Sequence, residues 1–320
     1  MLIGLLVLAA CCVAFTNGAN ANSKGVASLY GSGTTSLRVA VWWGTATTFA
    51  GALASLFLAQ GLLKSFSGRG LVPDALVQSP AFVLAVALGA ALTSFLATRL
   101  SFPVSTTHAL TGALVGAGLA SGDHTVHLGA LGQTFVQPLL LSPVLAIGLG
   151  ALIHFLLKGV RLLPDHRTRT LDTFHFLSGG AASFARGLND TPKMAALLLL
   201  AQALDLRWSI LTIASMTAIG GLLDAHKVAE TLAKKVTDMN PGEGFAANVA
   251  TALLVSTASY HGLPVSTTHV SVGSLVGIGL VTGKGHWPKV GQIGLSWLFT
   301  LPCGAALAAL AVWTISAFGK

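Results

Sequence analysis

Phe102-Pro103-Val104-Ser105-Thr106-Thr107-His108 returns 161 residues later as Leu263-Pro264-Val265-Ser266-Thr267-Thr268-His269. The six shared residues PVSTTH are followed by a further match, Gly112-Ala113-Leu114-Val115-Gly116 against Gly273-Ser274-Leu275-Val276-Gly277. A weaker pair precedes them. Phe15, Gly18, Asn20 and Lys24 recur as Phe184, Gly187, Asn189 and Lys193, in the pattern F-x-x-G-x-N-x-x-x-K, at an offset of 169 residues. Both motifs keep their order in each half, so the chain is an internal duplication. The basic loop near residue 164 divides it into a first transmembrane repeat, 1–163, and a second, 164–320, within one integrated unit.

Composition sets the environment of these repeats. Of 320 residues 53% are hydrophobic and 9% charged, and mean hydropathy is +0.76. Soluble domains carry about 25% charged residues. The chain therefore reads as an all-α polytopic membrane protein in the cell membrane, with the lipid bilayer as its first partner. Disorder, fibrous repeats and a disulfide scaffold are excluded, since Cys11, Cys12 and Cys303 form no framework of spaced pairs. The net charge of +8 fits basic cytoplasmic loops. No basic stretch is interleaved with aromatics, so no nucleic-acid partner is expected. Met1–Ala14 is apolar without a basic leader and reads as a first helix rather than a cleaved signal.

Ten apolar segments follow one another: 2–15, 39–63, 80–97, 109–120, 134–157, 173–203, 209–223, 245–260, 270–281 and 293–318. A full crossing needs about 20 residues. Several segments are shorter and are flanked by Gly, Pro, Ser and Thr, which predicts broken or re-entrant helices buried in protein or lining a wet cavity. The loop 158–169 holds Lys158, Arg161, Arg167 and Arg169 against Asp165 alone and is expected in the cytoplasm. The loop 121–127 has no Lys or Arg and is expected outside. An odd number of crossings per half would invert one repeat against the other, as in secondary transporters.

The motifs carry the chemistry. Pro suits a first helical turn, which would set Ser105, Thr106 and Thr107, and likewise Ser266, Thr267 and Thr268, beside free N–H groups at the positive end of a helix. Two such cradles could hold one tetrahedral anion between them. The bland alternative is that these hydroxyls only cap helices. Asn20 and Lys24, like Asn189 and Lys193, are spaced to share one helix face. The lysines would neutralise a dianion, or one would pair with Asp190, a candidate cation or proton site. Alternatively, both lysines lie in interfacial loops and reach water. His108 and His269 follow the hydroxyl triplets symmetrically and are candidates for proton relay, or for packing. Arg186 is expected to face a vestibule.

These residues resemble the inorganic phosphate transporter (PiT) family, whose hallmark is a duplicated G-A-N-D-V-A-N-A signature, with P-V-S-T-T-H after it. The resemblance runs from Phe15 to about Pro302. It implies two inverted helical repeats, substrate held at their interface by broken helices, and secondary uptake of an inorganic oxyanion coupled to Na⁺ or H⁺. It carries Asn20, Asn189, Asp190 and the six hydroxyl residues over as site residues, with Asn20, Asn189 and Asp190 on the coupling ion. The departures are local. Ala21 stands where Asp is expected, Leu188 replaces Ala, and Lys24 and Lys193 replace the second Asn of each copy. Hard cations want oxygen ligands, and Lys offers only donors. Sodium dependence is thereby disfavoured and proton coupling favoured.

The expected function is a symporter for phosphate or a related tetrahedral oxyanion. The alternatives are an H⁺-coupled, Na⁺-independent sulfate permease and a passive anion channel, which could not accumulate substrate against its gradient. An intramembrane enzyme is disfavoured by the absence of H-E-x-x-H and G-x-S-x-G. No cofactor beyond a coupling Na⁺ or H⁺ and no other metal is expected. Small residues on many helices permit a homodimer without requiring one.

Overall fold

The computed structural model describes residues 1–121, 126–160 and 167–318. They form eleven helices of ten residues or more: α1 Leu2–Ala21, α2 Leu37–Leu58, α3 Pro80–Arg99, α4 Thr106–Ala120, α5 Gln137–Gly159, α6 Arg169–Leu200, α7 Leu206–Asp224, α8 His226–Lys235, α9 Pro241–Tyr260, α10 Thr267–Thr282 and α11 Trp287–Phe318. α5 is prolonged at its start by the helical turn Leu128–Ala130 and the π-helical stretch Leu131–Val136. There is no β-strand among the described residues.

Ten of these helices match the ten apolar segments. Six are long and apolar enough to cross a membrane: α1, α2, α3, α5 with its extension, α7 and α11. Their outward faces carry Phe57, Leu140, Val144, Phe155, Leu298, Phe299 and Trp313 exposed, which suits hydrocarbon rather than water. The chain is a multi-pass membrane protein. α4 and α10 are too short to cross alone, since 15 residues rise only about 22 Å against a hydrocarbon core of about 30 Å. They are the broken helices expected from the sequence.

The eleventh helix, α8, lies in a stretch of mixed charge. Val228, Ala229 and Leu232 are buried on one face, while Lys227, Glu230 and Lys234 stay exposed. Its period was masked by charges of both signs. Polar caps set several starts: Asp205 accepts from the Trp208 N–H at 3.0 Å, and Asn240 and Glu243 form a capping box at 2.9 and 2.7 Å.

Contacts between helices obey the duplication. The packing of α6 on α2 is mirrored by α1 on α7, and that of α6 on α9 by α1 on α3. α11 of the second repeat packs on α4 and α3 of the first, and α5 of the first packs on α10 and α9 of the second. Each repeat lends its last helix to the other. At the crossings the backbones touch. A Cβ on Gly18 would strike the carbonyl of Thr217, and one on Gly187 that of Thr48. The expected boundary at 163/164 lies outside the described residues, as do parts of the loops 158–169 and 121–127.

Candidate functional site

The two PVSTTH motifs form breaks between helices. α3 ends with Ser101 at φ 60°, and α9 with Gly262 at φ 68°. At the first, Phe102 N–H donates to Ala97 C=O at 3.0 Å and Ser101 N–H to Thr98 C=O at 3.0 Å. At the second, Leu263 N–H donates to Ala258 C=O at 2.9 Å and Gly262 N–H to Ser259 C=O at 3.1 Å. Both are Schellman closures. Residues 102–105 and 263–266 then run outside helices until α4 and α10 begin. The helices start at Thr106 and Thr267, so Pro103 and Pro264 lie ahead of the first turn rather than in it. Ser105 and Ser266 are the N-caps, accepting from the N–H of His108 and His269 at 3.2 Å each.

The breaks meet and exchange partners. Thr107 Oγ1 donates to Val265 C=O at 3.2 Å, and Thr268 Oγ1 donates to Val104 C=O at 2.6 Å. The lysines join the same groups. Lys24 Nζ donates to Val104 C=O at 2.7 Å and to Thr268 Oγ1 at 2.6 Å. Lys193 Nζ donates to Val265 C=O at 2.9 Å and to Thr107 Oγ1 at 2.8 Å. Each ammonium thus ties the carbonyl of its own repeat to the threonine of the other. The lysines are 4% and 1% exposed, which overturns the interfacial-loop alternative.

The two asparagines serve the breaks differently. Asn20 donates to Thr98 Oγ1 at 3.1 Å and Phe102 C=O at 2.9 Å, and accepts from Val104 N–H at 3.0 Å. Asn189 donates to Ser259 Oγ at 2.8 Å and accepts from Lys193 Nζ. The expectation that each Asn–Lys pair shares a helix face holds only in the second repeat. α1 ends at Ala21 and Lys24 sits in the turn beyond it, whereas α6 continues through Pro192 and Lys193.

Asp190 is surrounded by donors. Its Oδ1 lies 3.3 Å from Lys193 Nζ. Its Oδ2 accepts from Thr267 Oγ1 at 3.2 Å and Asn17 Nδ2 at 3.4 Å, with Arg186 Nε at 3.6 Å. Asn17 also donates to Thr106 Oγ1 at 2.7 Å. Arg186, 2% exposed, does not line an open vestibule. Its guanidinium donates to the side-chain oxygens of Asn17 and Asn22 and to Thr48 Oγ1 at 3.3 Å. Asn17 and Asn22 were not expected in the cluster. Arg186 precedes Asp190 by one helical turn in sequence, which was the readable sign of this pairing. Lys24, Arg186 and Lys193 oppose one carboxylate, so the buried cluster carries a formal charge of +2. With every group ionised, such a cluster is balanced by an anion or by loss of a lysine proton.

His108 and His269 lie against each other, tilted by 48° with ring centroids 4.7 Å apart, and His269 lies against Trp297 at 4.1 Å. His269 Nδ1 is 3.1 Å from Leu139 C=O. His108 Nδ1 and His269 Nε2 are buried without a hydrogen-bond partner among the described residues. The nearest cavity along α6 ends short of the cluster. It has a volume of about 580 Å³ and is lined by Lys64, Ser67, Arg69, Gln78, Ala196 and Leu200, and Ala196 and Leu200 continue the helix face of Lys193. The buried Phe66 ring stands 5.7 Å from Lys193 Nζ and edge-on to Phe135.

Known proteins share this architecture. A 29% identical protein of Rhizobium meliloti, named "Probable low-affinity inorganic phosphate transporter", aligns over 97% of this chain and 95% of its own length. A namesake in Bacillus subtilis is 25% identical over 98% of this chain and 96% of its own. A solved structure titled "The sodium-dependent phosphate transporter" superposes with a TM-score of 0.85 at 20% identity, covering 99% of both chains, and shows the fold. The Phosphate transporter family itself matches residues 17–171 and 163–308. Since those matches contain both breaks, both lysines and the Asp190 cluster, the chain belongs to the Phosphate transporter family.

Proposed function

We infer that the chain is a secondary active transporter of inorganic phosphate or a closely related tetrahedral oxyanion, carried as a dianion. The observation that bears this reading is the buried +2 cluster where the two breaks meet. Its cations sit among hydroxyls that donate as readily to an oxyanion as to their present partners. The names of the full-length relatives favour phosphate.

Asp190 acts in this reading as the resident counter-anion. Its carboxylate takes the donors of Thr267, Asn17 and Lys193. An arriving dianion competes for those donors and, as a like charge, favours protonation of Asp190. A proton would then travel with the anion. The histidine pair, with two unpartnered ring nitrogens, is the candidate relay. Thr106, Thr107, Thr267 and Thr268 bind substrate, Lys24 and Lys193 supply charge, and Ser105, Ser266, Asn20 and Asn189 hold the breaks in place.

The mirrored helix contacts of the two halves favour an inverted arrangement, and the excess of Lys and Arg in the loop 158–169 favours a cytoplasmic position for it. Sulfate is the second reading. Sulfate has no proton to give, and the two lysines and one carboxylate of the cluster suit an anion that only accepts hydrogen bonds. Uptake of labelled phosphate and sulfate into proteoliposomes, under imposed H⁺ and Na⁺ gradients, separates these readings. Accumulation against the gradient identifies a carrier rather than a channel.

A further inference from the structure

The acceptors around the two ammonium groups are those of a hard monovalent cation. Lys24 Nζ meets a main-chain carbonyl and a threonine hydroxyl, at 2.7 and 2.6 Å. Lys193 Nζ meets the symmetry-related carbonyl and hydroxyl at 2.9 and 2.8 Å, with the Asn189 side-chain oxygen and the Asp190 carboxylate at 3.3 Å beside them. Carbonyl, hydroxyl, amide and carboxylate oxygens are the donor set that oxygen-loving cations select. Here four such oxygens around Lys193 and two around Lys24 close on a nitrogen that is covalently part of the chain.

The fold neighbour is titled sodium-dependent, and this chain's residues do not fit that ion. A sodium ion in either cage would sit in place of an ammonium, or beside it at a cost in repulsion. Added to the cluster, it would raise the buried charge from +2 to +3, with Asp190 still the one carboxylate among Lys24, Lys193 and Arg186. Unscreened like charges at such spacing are unfavourable away from water.

We propose that Lys24 and Lys193 are tethered cations: their ammonium groups fill two symmetry-related oxygen cages at the crossing of the breaks and make anion transport independent of Na⁺. This rests on the transporter reading above and specifies its coupling. Three consequences follow from the geometry. Sodium neither stimulates transport nor moves with the anion. Truncating either lysine opens a cage whose oxygens remain in place. A small cation from solution then takes the position the side chain held.

The test is uptake of labelled phosphate and labelled sulfate by proteoliposomes of the full chain, in sodium medium and in choline medium, with radioactive sodium followed in parallel. The wild-type chain is expected to transport equally in both media and to carry no sodium. Lys193→Ala and Lys24→Ala are expected to lose at least about tenfold in choline medium, the worth of one charge-assisted hydrogen bond. They should regain activity with added Na⁺ or methylammonium. Sodium-stimulated uptake by the wild type, with sodium entering alongside the anion, overturns the proposal and needs no variant to be folded. Variants that are monodisperse, bind the anion and transport equally with and without either cation also overturn it. If the wild type moves neither anion under any gradient, the transporter reading falls first.

Discussion

Lys24 Nζ donates to Thr268 Oγ1 at 2.6 Å across 244 residues of sequence, and Lys193 Nζ repeats the contact on Thr107 at 2.8 Å. Each bond joins the signature segment of one repeat to the break of the other, so the site exists only when both halves are assembled. Thr107→Val and Thr268→Val keep the side-chain shape and remove the acceptor. Each removes a bond worth about 1.5–3 kcal/mol when charge-assisted. Anion affinity should fall by roughly tenfold to a hundredfold in each variant, with the two losses similar in size. Titration calorimetry on detergent-solubilised protein checks this, and a large loss from one variant only would deny functional equivalence to the two halves.

The histidine pair separates coupling from binding. His108 and His269 touch each other, at 4.7 Å between ring centroids, and neither ring contacts Asp190 or the lysines by a hydrogen bond among the described residues. His108→Gln together with His269→Gln should leave anion exchange between two equilibrated compartments near the wild-type rate. Accumulation driven by an imposed pH gradient should fall to the level of the exchange background. Full pH-driven accumulation by the double variant assigns the rings to packing against Trp297.

Glycine holds the crossing of α1 and α7. The Cα of Gly18 lies under the carbonyl of Thr217, where no methyl group fits. Gly18→Ala should cost about 1–3 kcal/mol through overpacking, seen as a lower melting temperature and a smaller monodisperse fraction. Gly148→Ala is the control. It lies within α5 with nothing within 4 Å of an added Cβ, and alanine there should be neutral or favour the helix by up to about 1 kcal/mol.

These residues also mark what the sequence could reveal. The ten helices were legible because a membrane demands apolar runs with few charges. The breaks were legible because Pro, Ser and Thr interrupt those runs twice at one spacing. α8 was hidden by charges that mask its buried face. The cages of the lysines were unreadable for a different reason. Two of their six oxygens are main-chain carbonyls, which any residue carries, and each partner hydroxyl comes from the other repeat. The divergence between Asn17 and its counterpart Arg186 was in plain view, but only the fold shows Asn17 and Asn22 accepting from that guanidinium.

Asp190 is where the charge balance is most exposed to test. Its carboxylate is the sole buried anion in contact with Lys193 and Arg186 among the described residues. Asp190→Asn keeps the shape and leaves three cations uncompensated. Removing one partner from a buried ionic cluster costs about 3–5 kcal/mol, so the variant should melt well below the wild type and should not accumulate anion. The lost counter-charge can also be supplied from solution. Phosphate or sulfate binding the native state stabilises it in proportion to the logarithm of its concentration, and the gain should be larger for Asp190→Asn than for the wild type. Sodium chloride at equal ionic strength controls for screening. A melting temperature that responds equally in both proteins would separate Asp190 from the anion site, and wild-type accumulation by the variant would remove it from the transport cycle.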